Sequence, residues 1–165
     1  MEKVPAGTER TEVSEELPQG LERRLVLRLL AHWRSLCEEK KFPSFADVVP
    51  DEIPDIWPFS FVLEVLDDHQ EPVFRAVGDE LAAFARVSLT GRYVADAPAD
   101  TLPGVAIAYV DEVLAKAVPI SRGGEFHKVD GTKVLYRSIL LPMSDDGETI
   151  SGILGAANCR EIEED

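Results

Sequence analysis

The feature that most constrains the fold is the spacing of three β-rich segments in the last third of the chain. They span residues 120–129, 133–143 and 149–157, with only short turns between them. Asp130-Gly131 is a strong hairpin signal, and residues 144–147 form the second turn. Because a parallel pair needs a crossover of a dozen or more residues, the three strands are predicted to be antiparallel. Pro142 is expected to weaken the end of the middle strand.

Two more β-rich segments lie upstream and predict a second hairpin. They are residues 59–66 and 71–77, separated by the polar turn at residues 67–70. A helical region follows, with a short helix opened by Gly78-Asp79 and a longer one from about residue 100 to residue 118. Pro103 is tolerated in its first turn. Two strands, helices and three strands predict an α+β domain with a five-stranded antiparallel sheet.

An amphipathic helix is predicted over residues 20–41, before the first strand. Its apolar stripe repeats at intervals of three or four residues and consists of Leu21, Leu25, Leu29, Trp33 and Leu36. Pro43 ends this helix, and in the proline-punctuated stretch that follows residues 51–53 could open one short helical turn that ends near Trp57. The stripe is broad enough to bury one face of the helix against a sheet.

The charge and the cysteine content exclude several classes of protein. The 165 residues carry a net charge of −14, which disfavours nucleic acid and anionic membranes as partners. No apolar stretch reaches the roughly 20 residues of a membrane span, and the first 20 residues lack the apolar core of a secretory signal. Two cysteines are too few for a disulfide framework, so a reduced, cytoplasmic setting is expected.

Acidic residues concentrate at the two ends of the chain. Five glutamates lie in residues 1–19, and four more acids lie in residues 161–165. We interpret residues 1–19 as a disordered acidic tail, residues 20–160 as the folded domain, and residues 161–165 as a second acidic tail.

The pattern of titratable residues does not indicate an enzyme. His32, His69 and His127 have no ligand spacing, so no metal site is predicted. The aspartate pairs 67–68 and 145–146 sit in turns, where aspartate bonds the local backbone. Gly123-Gly124 opens no helix, and no phosphate loop or nucleophile elbow is present.

An ordered set of short motifs gives a more specific indication. Trp33 and Leu36 are followed by Pro43-Ser44, by Pro50-Asp51-Glu52-Ile53-Pro54, by Phe74-Arg75-Ala76-Val77-Gly78 and by Leu89-Thr90-Gly91-Arg92. Leu140-Leu141-Pro142-Met143-Ser144 and Asp146-Gly147 complete the set. The chain resembles the small stand-alone bacterial PAS subfamily over about residues 21 to 157. Phe45 departs from the pattern, which has a basic residue at that position.

The resemblance implies an arrangement and a role. The first strand would lie between the second and the fifth. The middle helices would pack on one sheet face and enclose a pocket, and the N-terminal helix would cover the other face. The resemblance also implies a homodimer through that helix at Leu21, Leu25, Leu29, Trp33 and Leu36. The alternative is that the helix folds back on its own sheet in a monomer.

The expected pocket would be lined by apolar side chains with two arginines placed among them. The aromatic and aliphatic candidates are Phe61, Leu63, Phe74, Phe84, Tyr93, Ile107, Tyr109, Leu114, Ile139 and Ile153. Arg75 and Arg137 would recognise a carboxylate if they point inward. Tyr136 and Arg137 are adjacent in a strand, so only one of them can face the pocket. The same apolar residues could equally fill a dry core.

No cofactor is expected. Asn158-Cys159-Arg160 is the flavin-adduct triplet of light-sensing PAS domains, but there it lies on a helix after the second strand. Here we place it after the last strand, where it could not face the pocket. The longer middle helix contains no histidine to ligate haem.

The function expected from these features is non-catalytic. We predict a sensory or regulatory domain that binds a small molecule between sheet and helices and signals through contact with an unidentified protein. The alternative is a ligand-free adaptor or dimerisation module with the same fold.

Overall fold

A computed structural model describes residues 21–65 and 71–162, and the side chains of residues 21–23 are outside this description. The predicted tail at residues 1–19, the turn at residues 67–70 and the last three residues of the chain therefore lie outside the described residues. The helices and strands, in chain order, are α1 (Leu21–Cys37), β1 (Ser60–Glu64), β2 (Val73–Val77), α2 (Asp79–Ala83), α3 (Leu102–Ala106), α4 (Val110–Lys116), β3 (Ile120–His127), β4 (Lys133–Met143) and β5 (Gly152–Ile162).

The five strands form one antiparallel sheet in the order β2-β1-β5-β4-β3. The expected place of β1, between β2 and β5, is confirmed. The longest pairing joins β4 to β5, from Lys133 opposite Ile162 to Met143 opposite Gly152. Strand β4 continues through Pro142 to Met143. The proline is tolerated because β3 pairs with β4 only as far as Leu140, so the edge of β4 is free of β3 at Pro142.

Both faces of the sheet are buried, each under its own layer of helices. Ile139 and Leu141 of β4 belong to the core beneath α1, whereas Leu140 between them belongs to the core beneath the middle helices. This alternation follows from the two-residue period of a strand. Strands buried on both faces explain why their sequences are nearly continuous apolar runs. The α+β class and the two-sided cover are confirmed.

Helix α1 packs on the sheet of its own chain. Leu29 is fully buried, and the Trp33 indole Nε1–H donates to the carbonyl oxygen of Pro142 at 2.9 Å. The helix ends at Cys37, four residues earlier than predicted, because Glu38 adopts a left-handed conformation with φ 53°. Among the described residues, no helix is both long and apolar enough to cross a bilayer.

The segment between α1 and β1 is built from three short 3₁₀ turns, at Phe45–Asp47, Pro50–Glu52 and Trp57–Phe59. It packs beside α1 on the same sheet face. The end of β2 meets it so closely that a Cβ at Gly78 would overlap the carbonyl oxygens of Trp57 and Pro58. Glycine is therefore required where the Phe-Arg-x-x-Gly motif ends.

Two predicted elements have different bounds in the structure. The longer middle helix is two helices, α3 and α4, because residues 107–109 leave the helical path between them. Thr101 caps α3, since its hydroxyl oxygen accepts the Gly104 N–H at 3.2 Å. Strand β5 begins at Gly152 and continues to Ile162, so residues 158–162 belong to the sheet.

Trp33→Phe is expected to lower the free energy of unfolding by about 1–3 kcal/mol, because it leaves the buried Pro142 carbonyl without its donor. Urea denaturation measures this loss. The control is Trp57→Phe, at a half-buried tryptophan of the same core, which should cost less. Equal losses for the two variants would contradict the role of the indole hydrogen bond.

Candidate functional site

The centre of the space between the sheet and the middle helices is filled with side chains. Phe61, Leu63, Phe74 and Ile153 have no exposed surface there, and the rings of Phe61 and Phe74 meet edge to face with centroids 6.1 Å apart. A Cβ at Gly155 would collide with the Phe61 ring, so the ring lies directly on the backbone of β5. Ile107, Tyr109 and Leu114 complete this packing. The structure thus brings these predicted lining residues together as a core.

Three of the predicted ligand residues lie away from the space beneath the middle helices. Ile139 belongs to the core beneath α1, and Arg75 lies beside Val62 and Ala76, which pack with that same core. Arg137 is two residues from Ile139 on β4, so its side chain is on the same sheet face. Tyr136 is the residue that faces the middle helices, with its ring 6.0 Å from that of Phe126. The sequence left open which of Tyr136 and Arg137 faces the pocket; it is Tyr136, and neither Arg75 nor Arg137 lies beneath the middle helices.

A bulge in β2 turns Arg75 outward. Leu63 pairs with Phe74 and Val62 with Ala76, which leaves Arg75 as the extra residue. Its guanidinium stacks 4.2 Å from the centre of the Phe45 ring and lies 3.8 Å from Glu64. Phe45, the residue that departs from the family pattern, therefore serves as an apolar platform for this arginine, while its ring also covers Gly152.

Arg137 is 1% exposed and lies within the layer between sheet and α1. It stands opposite Asn158 on β5 and Gly123 on β3. A charged group buried this deeply is held by specific contacts of the fold. It is not available to a molecule on the other face.

A groove of about 310 Å³ lies on the helical side, at the end of the sheet. Its floor is apolar, with Leu102 and Val134 almost fully buried. Exposed Phe84 and Val129 stand on its rim. The groove is lined by Phe84, Arg86, Asp100, Thr101, Leu102, Phe126, Lys128, Val129, Asp130, Val134, Cys159 and Glu161. Of the predicted ligand residues, only Phe84 is among them. Tyr93 is 47% exposed and forms an isolated antiparallel bridge with Val73, the first residue of β2.

Two ion pairs lie on the rim of this groove. Arg86 donates two hydrogen bonds to Asp100, at 3.1 and 2.8 Å, and Lys128 donates to Glu161 at 2.6 Å. The bonds from Arg86 hold the pKa of Asp100 below its usual range, and the bond to Glu161 raises the pKa of Lys128. Hydrogen bonds from Thr132 lower the pKa of Asp130.

Cys159 faces this groove, contrary to the expectation for the Asn-Cys-Arg triplet. The triplet lies within β5, where Cys159 pairs with Tyr136 and packs with the core beneath the middle helices. The prediction is wrong because it ends the last strand at residue 157, whereas β5 continues to Ile162. Continued alternation through residues 158–162, with Cys159 and Glu161 on one face, is the signal that could have revealed it.

A polar contact joins α4 to the sheet beside the filled core. The Tyr109 hydroxyl lies 2.7 Å from the Ser138 hydroxyl, and the Arg122 guanidinium lies 5.2 Å from the centre of the Tyr109 ring. Arg122 is also bonded to Glu112 at 2.9 and 3.0 Å. Burial raises the pKa of Tyr109 well above its ordinary value, and it also raises the pKa of Tyr136.

The apolar stripe of α1 packs against the sheet of its own chain. Leu25, Leu29 and Trp33 are buried in the core between α1 and the sheet, and Leu36 is half-buried. The Leu21 side chain lies outside the described residues. A dimer through this stripe would require α1 to leave the sheet. Dimerisation stays a prediction, and Leu27 is the large apolar residue that α1 exposes among its described side chains.

The described histidines and turn aspartates do not assemble a reactive centre. Asp146 accepts backbone N–H groups of Glu148 and Thr149 at 2.8 Å, which lowers its pKa and shapes the turn before β5. In the described ranges, no three His, Cys, Asp or Glu side chains are grouped to hold a metal ion. His69 and the aspartate pair at residues 67–68 lie outside those ranges.

Comparison with models of protein families identifies the family of this chain. A family model described as PAS domain matches residues 22–158, which is most of the chain. The chain belongs to the PAS domain family. The match covers every strand of this PAS domain, although β5 continues four residues beyond it. A search of curated proteins finds no match.

Solved structures similar to this PAS domain include three LOV domain structures. The LOV domain of the blue-light activated histidine kinase from Erythrobacter litoralis EL346 is 12% identical, with a TM-score of 0.45 over 62% of this chain and 95% of its own. The light state of the Aureochrome1 LOV photoreceptor is 14% identical, with a TM-score of 0.45 over 71% and 90%. A LOV domain studied with a flavin analogue is 12% identical, with a TM-score of 0.42 over 64% and 77%.

The raised pKa of the half-buried Tyr109 should be visible in an alkaline titration of this PAS domain. Tyr109→Phe is expected to remove one phenolate from the latest step of the absorbance rise at 295 nm, because burial raises the pKa of Tyr109. The folded state holds this proton more tightly than the unfolded chain. The contribution of the protonated Tyr109 to the free energy of unfolding is therefore fully present below about pH 10 and decreases as the pH rises above that value. A variant that loses an early step instead would contradict the burial of this hydroxyl.

Proposed function

We propose that this PAS domain is a non-catalytic sensory domain that binds a small molecule in the groove at the end of the sheet and signals through protein contacts. The observation that carries the proposal is the groove itself, an apolar floor open to solvent with charged groups at its rim. Its volume lies at the lower end of the roughly 300–1,000 Å³ of small-molecule sites, which favours a small ligand.

The connection between the groove and α1 supports a signalling role. Val134 and Cys159 line the groove from β4 and β5, and the opposite faces of the same two strands form the floor beneath α1. A ligand that shifts these strands would change the packing of α1, because closely packed layers transmit small displacements. Binding would then shift the population of α1 arrangements and with it the affinity for a partner protein.

Native mass spectrometry of the purified protein tests ligand binding and oligomeric state in one sample. We expect a small molecule that is retained by the protein and lost in Cys159→Trp, since the larger side chain would occupy the groove. Val87→Trp is the matched control, at an exposed residue that does not line the groove. Retention of the same molecule by Cys159→Trp would contradict the proposed site.

A ligand-free adaptor of the same fold is the second candidate, and the filled interior favours it. Phe61, Leu63 and Phe74 leave no space where the pocket was expected. An adaptor would bind its partner without any retained small molecule, and Cys159→Trp would leave partner binding unchanged. Homodimerisation and a cytoplasmic location remain part of the proposal, and the mass of the native species checks the former.

A further inference from the structure

The charged and hydroxyl groups that line the groove are already hydrogen-bonded within the protein. Both rim cations are bonded to carboxylates, Arg86 to Asp100 and Lys128 to Glu161. The Thr101 hydroxyl donates to the Pro98 carbonyl at 2.7 Å and accepts from the Gly104 N–H at 3.2 Å. Asp130 accepts the Thr132 N–H at 2.9 Å. A site that selects a polar ligand needs polar groups aimed at that ligand, and here they serve the fold.

The charge balance of the rim also disfavours a charged ligand, in particular an anion. The lining contains two cations, Arg86 and Lys128, against the three carboxylates Asp100, Asp130 and Glu161. The pKa values of Asp100 and Asp130 are lowered, so these two groups stay ionised at neutral pH. An anionic headgroup would have to displace a carboxylate from its cation and would approach a chain of net charge −14.

We infer that the groove takes an uncharged, mainly apolar molecule, recognised by burial of its apolar surface rather than by an ionic or hydrogen-bonded headgroup. This inference rests on the proposed function. It replaces the carboxylate ligand that the sequence suggested, since Arg75 and Arg137 do not border the groove. Phe84, Leu102, Phe126 and Val134 supply the apolar contact.

Two matched series of simple molecules test the inference by calorimetry at pH 7.5. The 1-alkanols from hexanol to octanol should bind about fourfold more tightly with each added methylene, as expected for burial of apolar surface. The alkanoates of the same length, which are ionised at this pH, should bind more weakly. Backbone amide NMR shifts at residues 100–102, 104 and 159–161 locate the site. Both tryptophans lie in the opposite core and do not report on it.

Releasing the rim cations should change this preference. In the double variant Asp100→Asn with Glu161→Gln, Arg86 and Lys128 lose their carboxylates, so alkanoate affinity should rise by up to about fivefold per cation with alkanol affinity unchanged. The matched control is Asp55→Asn, which frees Arg28 of an exposed ion pair outside the groove and should change neither series.

The outcomes separate this inference from the proposed function. Alkanoates that bind the natural protein as tightly as the matched alkanols, or more tightly, would overturn the ligand class and leave the groove as a binding site. A double variant with unchanged alkanoate affinity would show that the ion pairs do not exclude anions, which also overturns the inference. Absence of binding in both series would refute the groove as a binding site and the inference with it.

Discussion

The pairing of β4 with β5 is the constraint on which the rest of the molecule depends. Eleven residues on each strand are matched, and each strand exposes one row of side chains to α1 and the other to the middle helices. Both cores are therefore built on the same two strands. A one-residue slip in this pairing would exchange the two rows, placing Arg137 beneath the middle helices and Leu140 beneath α1. The two-sided burial thus specifies the register strongly, and the position of every candidate site residue follows from it.

Elements whose local pattern agrees with their tertiary setting could be predicted from the sequence. The bounds of β4 match because the Asp130-Gly131 turn and the turn at residues 144–147 limit it at both ends. The end of β5 could not be read in this way, because no turn residue follows and the acidic residues at the end of the chain resembled a tail. The break between α3 and α4 was likewise hidden, since residues 107–109 contain neither glycine nor proline.

The site was predicted less well than the fold, for a geometric reason. Composition indicated which residues are apolar enough to line a pocket, but it could not show whether they leave space between them. That depends on contacts such as the Phe61 ring on Gly155, which join residues far apart in sequence. The bulge at Arg75 had no sequence signal either, because it arises from the register of β1 against β2. The groove forms between the β3–β4 hairpin, the segment after α2 and the start of α3, and only the assembled sheet shows that position.

Arg75 and Arg137, on the α1 side of the sheet, differ from the two cations at the groove in what their charge does. Arg137 is buried between sheet and α1, and Arg75 is stacked on Phe45, so each is committed to the layer opposite the groove. Arg86 and Lys128 remain at the surface, where an ion pair is worth little in stability because water and salt screen it. Such pairs still influence binding, because a cation already bonded to a carboxylate offers less attraction to an incoming anion. The surface pairs beside the groove therefore bear on which molecules can enter it, whereas the buried arginine bears on the integrity of the sheet.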